Sequence, residues 1–329
     1  MQGRNWLRLT MGAALFVTVC IAFQGRPAAA DDHYRANYFP NVPLTTQDGV
    51  TVHFYDDVLK GKIVAINLIY TTCQYSCPLE TARLAQVEKI LGDRVGKDIF
   101  FYSITIDPKH DTPQVLKAYA EKFHAGPGWT FLTGKKEDID LISKKMGLYS
   151  DPSLTKDGHT PHLLIGNEAT GQWMRDSAGD NPKFLANLIG NFMGDWKNPT
   201  TSQKSYAEAT PIHLDIGKYL FTKQCAACHT IGLGDKIGPD LLGVTTVRDR
   251  AWLIRYIREP QKVLAEKDPI ATALFEKYKE VRMPMLSVNN DDLAAIIKFL
   301  ESQDQKMTAG GVVVPAAKTQ PEQPGPSSK

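Results

Sequence analysis

Residues 62–91 read KIVAINLIYTTCQYSCPLETARLAQVEKIL. The opening run, residues 62–70, is apolar and rich in β-branched side chains, which is typical of a strand buried in a sheet. Cys73 and Cys77 follow this run, and Pro78 suits the first turn of a helix whose apolar residues then recur at helical spacing. The stretch therefore predicts a strand, a turn that carries two thiols, and a helix, which is how an α/β domain begins.

The alternation of strands and helices continues on the C-terminal side. The further predicted elements are a strand at 99–106, a helix at 113–123, a strand at 129–132, a helix at 137–146, a hairpin formed by 163–166 and 172–175, and a helix at 182–192. Together they predict an α/β domain over residues 37–195.

A second domain is indicated where this alternation ends. Residues 196–211 lose apolar periodicity and gather Pro, Thr and Ser, which indicates a linker. Helices are then expected before Cys225, at 251–258 and at 291–303, without strands between them. We therefore predict an all-α domain at 212–305, followed by a disordered tail at 306–329.

Composition and charge limit the possible functions. The chain has 329 residues, of which 43% are hydrophobic and 22% charged, as in globular proteins with room for two modest cores. A formal net charge of +2 is too close to balance to indicate a nucleic-acid partner.

The N-terminus predicts export. Arg4 and Arg8 give a basic start, residues 9–23 are mostly apolar, and small residues at 28–30 suit cleavage. The apolar run is shorter than the ~20 residues of a spanning helix, which favours a cleaved signal peptide at 1–30 and a periplasmic protein. An uncleaved anchor, which would keep the protein near the membrane, is the alternative.

Four cysteines remain after cleavage, in two close pairs: Cys73 with Cys77, and Cys225 with Cys228. A disulfide across so few residues would remove little entropy from the unfolded chain. A reactive or metal-binding role therefore explains the pairs better than a structural disulfide. At the start of the predicted helix, the helix dipole favours thiolates at Cys73 and Cys77. Two adjacent thiolates form either a soft-metal site, suited to Cu(I), or a reversible disulfide.

The sequence Cys225-Ala-Ala-Cys228-His229 has the spacing of c-type haem attachment. Its two thiols would add to the haem vinyl groups, and the adjacent imidazole would bind the iron. A redox CxxC pair and half of a zinc site are the alternatives, but zinc would need further ligands.

The sequence around this motif resembles class I cytochromes c. The resemblance covers Gly217, Tyr219 and Phe221 ahead of the motif, the loop 238–241 after it, and the segment 282–286, Arg-Met-Pro-Met-Leu. It implies haem c with His229 and Met283 as axial ligands, and Met285 is the alternative to Met283. Two filled axial positions favour electron transfer over oxygen chemistry.

The first domain resembles the Sco (SenC) family of thioredoxin-like copper proteins. The residues that carry the resemblance are Tyr70-Thr-Thr-Cys73 with Cys77-Pro78, Ser103–Pro108 leading into Asp111-Thr-Pro113, and His159-Thr160. It implies a thioredoxin-like fold and copper bound by Cys73, Cys77 and His159, with His162 as the alternative histidine. The family helps to assemble the binuclear copper centre of cytochrome c oxidase. Asp107 and Asp111 are interpreted as turn and helix-start residues, and a supporting role beside the site or a contact with a partner is the alternative.

Three functions remain open from the sequence. The leading one is a copper metallochaperone and thiol-disulfide protein for oxidase assembly, in which the haem transfers electrons to or from the copper or dithiol site. Its expected partners are the copper subunit of the oxidase, or another respiratory copper protein, and redox proteins. The alternatives are a copper-independent thiol-disulfide reductase or peroxidase-like enzyme, and a respiratory electron carrier. The sequence leaves open whether the protein is an enzyme at all.

Overall fold

A computed structural model describes residues 38–149, 161–193 and 215–309, with only the backbone of 307–309. In these ranges no helix combines the length and the apolarity that a membrane crossing requires. The proposed signal peptide at 1–30 and the linker at 196–211 lie outside the described residues.

A seven-stranded sheet forms the centre of the first domain, in the order β2-β1-β5-β4-β3-β6-β7. Its strands are β1 (Pro43–Thr46), β2 (Thr51–His53), β3 (Ile63–Ile69), β4 (Ile99–Thr105), β5 (Trp129–Thr133), β6 (His162–Asn167) and β7 (Gln172–Ser177). The three central strands β3, β4 and β5 are parallel, whereas β6 runs antiparallel to β3. The carboxyl end of β3 and the start of β6 therefore lie at the same edge of the sheet.

Strand β3 is buried along its whole length because helices cover both faces of the sheet. On one face Ile63, Ala65 and Ile69 belong to the apolar cluster that includes residues of helices α1 (Cys77–Leu91), α2 (Pro113–Lys122) and α4 (Pro182–Asn187). On the other face Val64 and Ile66 pack with helix α3 (Lys136–Lys145) and a π-helical turn at Phe54–Leu59. This layering places the turn between β3 and α1 at the edge of the central strands.

The second domain is helical. Its elements are α5 (Ile216–Gln224), α6 (Val244–Val247), α7 (Arg250–Arg258), α8 (Pro260–Ala265), α9 (Pro269–Lys277) and α10 (Asn290–Ala309). Helices α5 and α10 cross closely at Gly217, where an added Cβ would lie 2.3 Å from the Ala295 carbonyl oxygen. The rings of Phe221 and Phe299 pack beside this crossing, with centroids 5.5 Å apart.

The predicted fold class is confirmed: a thioredoxin-like α/β domain precedes an all-α domain. Strands β1 and β2, the π-helical turn at 54–59 and helices α6, α8 and α9 were not predicted. Helix α10 continues to Ala309, beyond the predicted end of this helix at residue 303 and into the first residues of the proposed tail. The rest of that tail, 310–329, lies outside the described residues.

Candidate functional site

Cys73 and Cys77 occupy the turn between β3 and α1. Strand β3 ends at Ile69, the Cys73 amide donates to the Tyr70 carbonyl at 3.1 Å, and Cys77 is the first residue of α1. Both side chains are free thiols and both are buried, with exposures of 2% and 0%. The two sulfurs therefore lie together near the N-terminus of α1, buried beside the carboxyl end of β3.

The two thiols differ in their electrostatics. A hydrogen bond from the Cys77 thiol, aided by backbone amides and opposed by burial, lowers the pKa of Cys73 to about 6. Burial and that same hydrogen bond raise the pKa of Cys77 well above its ordinary value. Of the two thiolates predicted from the sequence, the structure favours one: Cys73 is the thiolate and Cys77 is its donor.

A buried carboxylate holds the chain that enters this turn. Asp111 is fully buried and accepts hydrogen bonds from the Thr71 amide at 3.1 Å and from the hydroxyls of Thr71 and Thr105, each at 2.5 Å. The ring nitrogen Nδ1 of His110 lies 3.0 Å from the same carboxylate. The sequence suggested a helix-start aspartate. In the structure the hydrogen bonds of its carboxylate fix the residues just before Cys73.

The predicted histidine ligand cannot be placed with the cysteines. His159 lies outside the described residues. The alternative, His162, is exposed and begins β6, which starts at the sheet edge where β3 ends. Within the described ranges, no group of three or more His, Cys, Asp and Glu side chains could hold a metal ion.

The second domain encloses a cavity of about 230 Å³. Cys225, Cys228, His229 and Met283 all line it, and most of its other lining residues are apolar. The structure thus brings together the four residues that the sequence assigned to haem. An apolar cavity with two thiols, an imidazole and a thioether fits a covalently attached, six-coordinate haem.

His229 is oriented for metal binding. Its Nδ1 lies 2.8 Å from the Pro239 carbonyl oxygen, and because a carbonyl only accepts, Nδ1 carries the proton and Nε2 keeps its lone pair. Burial lowers the pKa of His229, which keeps the imidazole neutral. Gly238 makes room for the ring, since an added Cβ would lie 2.7 Å from its Cε1 atom. The Gly-Pro loop noticed in the sequence is therefore what positions this imidazole.

The two methionines of the 282–286 segment have different surroundings. Met283 lines the cavity, and its carbonyl accepts a hydrogen bond from Nε2 of Gln261 at 2.7 Å. Met285 is not among the cavity's lining residues, and its amide donates to the Gln74 carbonyl at 2.9 Å. Met283 therefore shares the cavity with Cys225, Cys228 and His229, whereas Met285 contacts the turn that carries Cys73.

Family comparisons agree with this two-part architecture. Residues 31–167 match the SCO1/SenC family model, and residues 214–304 match the cytochrome c model. The SCO2-like protein of Rickettsia felis is 32% identical over 145 residues, which cover 41% of this chain and 68% of the relative. The chain belongs to the SCO1/SenC family. The cytochrome c match in its second part implies haem c.

Solved structures similar to the SCO1/SenC domain include a SCO1/SenC family lipoprotein from Bacillus anthracis. It is 27% identical, with a TM-score of 0.40, over 46% of this chain and 92% of that one. Bradyrhizobium japonicum ScoI with copper bound is 26% identical, with a TM-score of 0.38, over 45% of this chain and 94% of that one.

The SCO1/SenC domain and the cytochrome domain share a packed boundary. Ala227 and Ile237, on either side of His229, belong to the same buried apolar cluster as Ala82 and Leu84 of α1. Nε2 of Gln86, also on α1, donates to the Ala226 carbonyl at 3.4 Å. Sequence analysis did not reveal this contact, which places the haem attachment motif against the helix that begins at Cys77.

Proposed function

We propose that this protein binds copper at Cys73 and Cys77 and takes part in assembly of the copper centre of cytochrome c oxidase. The observation that carries the proposal is the buried pair of free thiols at the N-terminus of α1, one of them with its pKa lowered to about 6. A thiolate beside a second sulfur is the donor set that selects Cu(I). Membership of the SCO1/SenC family supports the same role.

Each residue of the thiol site has a distinct task in this proposal. Cys73 offers the thiolate without a proton having to leave at neutral pH, and Cys77 gives up its proton when copper binds. Asp111 keeps Thr71, and through it the turn, in place while the metal enters and leaves. His159 is the proposed third ligand, with His162 as the alternative, and an imidazole would allow the site to hold Cu(II) as well.

The cytochrome domain supplies the electron-transfer part of the proposal. Cys225 and Cys228 would hold haem c covalently, with His229 and Met283 as axial ligands, and the bound haem would supply reversible one-electron chemistry. The chain itself fixes the imidazole tautomer, excludes water with apolar side chains, and holds the Met283 carbonyl through Gln261. Since the Cu(II)/Cu(I) change also takes one electron, we propose that the haem exchanges electrons with the copper or dithiol site.

The proposed setting is the periplasm, reached by means of a cleaved signal peptide at 1–30. The proposed partners are the copper subunit of the oxidase, or another respiratory copper protein, and redox proteins that exchange electrons with the haem. Near-balanced charge gives no support for a nucleic-acid partner.

Metal analysis of anaerobically purified holoprotein tests the copper site. We expect about one equivalent of copper in the wild type and loss of that copper in Cys73→Ser, because the site then keeps one of its two sulfur ligands and loses the one that is already a thiolate. Gln74→Ala, an exposed change in the same turn, is the matched control and should retain the metal. Wild-type protein that binds no copper with its thiols reduced would contradict the proposal.

A second candidate function is thiol-disulfide exchange without copper. The specific observation in its favour is the Cys73 thiolate with Cys77 beside it, which is the arrangement of an attacking and a resolving cysteine. Catalysed disulfide reduction by metal-free protein, abolished in both Cys73→Ser and Cys77→Ser, would support this function. If electron transfer to respiratory partners were unchanged in the double variant, the protein would instead be an electron carrier.

A further inference from the structure

The two sites are joined by one short segment of the cytochrome domain. The Met285 amide donates to the Gln74 carbonyl at 2.9 Å, and Gln74 directly follows Cys73 in the chain. Met283, two residues earlier, lines the haem cavity, and Pro284 between them is buried. A single backbone hydrogen bond therefore connects the segment that holds the proposed axial ligand to the turn that holds the proposed copper ligand.

The segment is held on its cytochrome side. The Met283 carbonyl accepts from Nε2 of Gln261 at 2.7 Å, and Oε1 of the same amide accepts from Arg282 at 3.1 Å. The guanidinium of Arg282 also lies over the Phe275 ring, 5.3 Å from its centroid. These contacts hold the Arg282 side chain and the Met283 carbonyl within the cytochrome domain.

The domain boundary holds the segment against the turn. Ala227 and Ile237 are buried in the cluster that contains Ala82 and Leu84 of α1, while Cys228 and Val281 pack against that cluster. The Gln86 side chain adds a hydrogen bond to the Ala226 carbonyl. The Met285–Gln74 bond is thus one of several contacts between the two domains.

We propose that the Met283–Met285 segment is the electron path between the haem and the thiol site, through the Met285–Gln74 hydrogen bond. This inference rests on the proposed function, since it requires haem in one domain and copper in the other. The path runs from the Met283 side chain along the backbone to the Met285 amide, across the hydrogen bond to the Gln74 carbonyl, and back to the Cys73 sulfur. Every other link in it is covalent.

The electron balance of the step is simple. One electron leaves the reduced haem and enters Cu(II) at the thiol site, which gives oxidised haem and Cu(I), and no proton or bond to carbon changes. The reverse direction uses the same path. A reduced respiratory donor would restore the electron to the haem after each transfer.

Met285→Pro in the full-length holoprotein tests the path because proline lacks the amide hydrogen but leaves the chain covalently intact. Stopped-flow absorbance would follow haem oxidation after Cu(II) is added to the reduced, copper-free protein. We expect roughly threefold to tenfold slower transfer within the complex, because without the hydrogen bond the contact that closes the path is formed for a smaller fraction of the time. The haem spectrum must show that methionine ligation by Met283 is retained.

Met285→Leu is the matched control because it removes the sulfur and keeps the amide. It should transfer electrons at the wild-type rate. Equal slowing in the Leu and Pro variants would assign the effect to the side chain and overturn the backbone path, and so would wild-type kinetics in Met285→Pro. Wild-type protein that binds copper yet shows no transfer from haem would refute the proposed coupling itself, while wild-type protein without copper would refute the proposed copper site.

A second variant and a second readout cover the case in which Met285→Pro disturbs the haem. Gln86→Glu replaces the amide that donates to the Ala226 carbonyl with a carboxylate that cannot donate, so it weakens the boundary from α1 and leaves the haem motif and the Met285 amide unchanged. Hydrogen exchange should show a protected Met285 amide in the wild type and faster exchange in Gln86→Glu, with slower electron transfer in the same variant. A Met285 amide that exchanges freely in the wild type would overturn the inference.

Discussion

The two cysteine pairs of this protein have similar spacing, but only one of their four thiols, Cys73, has a lowered pKa. Burial raises the pKa of Cys225 to about 12 and, against the attraction of Lys236 and Arg83, that of Cys228 to about 11. A hydrogen bond from Cys77 instead lowers the pKa of Cys73 to about 6. The comparison shows that burial alone keeps a thiol neutral, whereas hydrogen bonds from the Cys77 thiol and from backbone amides outweigh burial at Cys73.

The largest expected effect is a loss of copper affinity that leaves haem binding unchanged, which tests whether the two cysteine pairs act independently. Cys73→Ser should weaken Cu(I) binding by at least about 100-fold, since a lost ligand costs no less than a lost outer-shell partner. Competition with a chromophoric Cu(I) chelator measures this change. The haem content of the same variant should equal that of the wild type, because Cys225 and Cys228 are untouched. Parallel loss of haem and copper would show that the pairs are not independent.

A smaller effect tests why Cys73 is the thiolate. Cys77→Ala removes the donor that lowers the pKa of Cys73, so this pKa should rise toward the ordinary value and the thiolate fraction at neutral pH should fall roughly tenfold or more. Cys77→Ser keeps a hydroxyl donor and should retain most of the thiolate. NMR of isotope-labelled cysteine follows the titration in copper-free protein.

The sign of the pH dependence follows from the same lowered pKa. In the wild type Cys73 should be mainly thiolate above about pH 6 and should gain a proton as the pH falls through that value. Its contribution to stability is present above the unfolded-state pKa and is lost as the pH falls through the folded-state value. If the titration midpoints of the wild type and Cys77→Ala coincide, the hydrogen bond between the thiols does not cause the shift.

The parts that could be predicted from the sequence are those with strong local signals. Strand β3 is buried on both faces and therefore reads as a continuous apolar run, and α1 begins with a proline in its first turn. The haem residues were found because attachment chemistry fixes their spacing. Strands β1 and β2 were missed because they have only four and three residues and little apolar pattern.

The remaining features depend on tertiary packing. Helix α9 did carry a local signal, the Asp268 cap followed by Pro269, which was overlooked. In contrast, no local pattern indicates that Asp111 accepts hydrogen bonds from Thr71 and Thr105, or that Met285 meets Gln74 across the domain boundary. The Asp111–Thr71 and Met285–Gln74 contacts join residues far apart in the chain, and the fold alone brings them together.

Different residues support the two sites. At the thiol site this residue is Asp111, and a substitution can remove its hydrogen bonds. Asp111→Ala would leave the Thr71 amide and the Thr105 hydroxyl without their buried acceptor, which should lower the free energy of unfolding by about 2 kcal/mol. Chemical denaturation followed by tryptophan fluorescence measures it. Asp107→Ala, a half-exposed change four residues earlier in the chain, is the control and should cost clearly less. An equal loss in both variants would mean that Asp111 is an ordinary loop residue.

The smallest expected effect concerns Gly238, which makes room for the His229 ring in the haem cavity. Gly238→Ala would place a Cβ 2.7 Å from Cε1 of His229, so the imidazole or the loop has to move, at a cost of about 1 kcal/mol. Because the ring would turn away from the Pro239 carbonyl, its hydrogen bond should weaken, and with it the basicity of Nε2 toward iron. Redox titration should show a shifted haem potential, while Cu(I) affinity at Cys73 and Cys77 should stay at the wild-type value. An unchanged potential would show that the loop yields without moving the ligand, whereas a changed copper affinity would reveal that strain passes between the two sites.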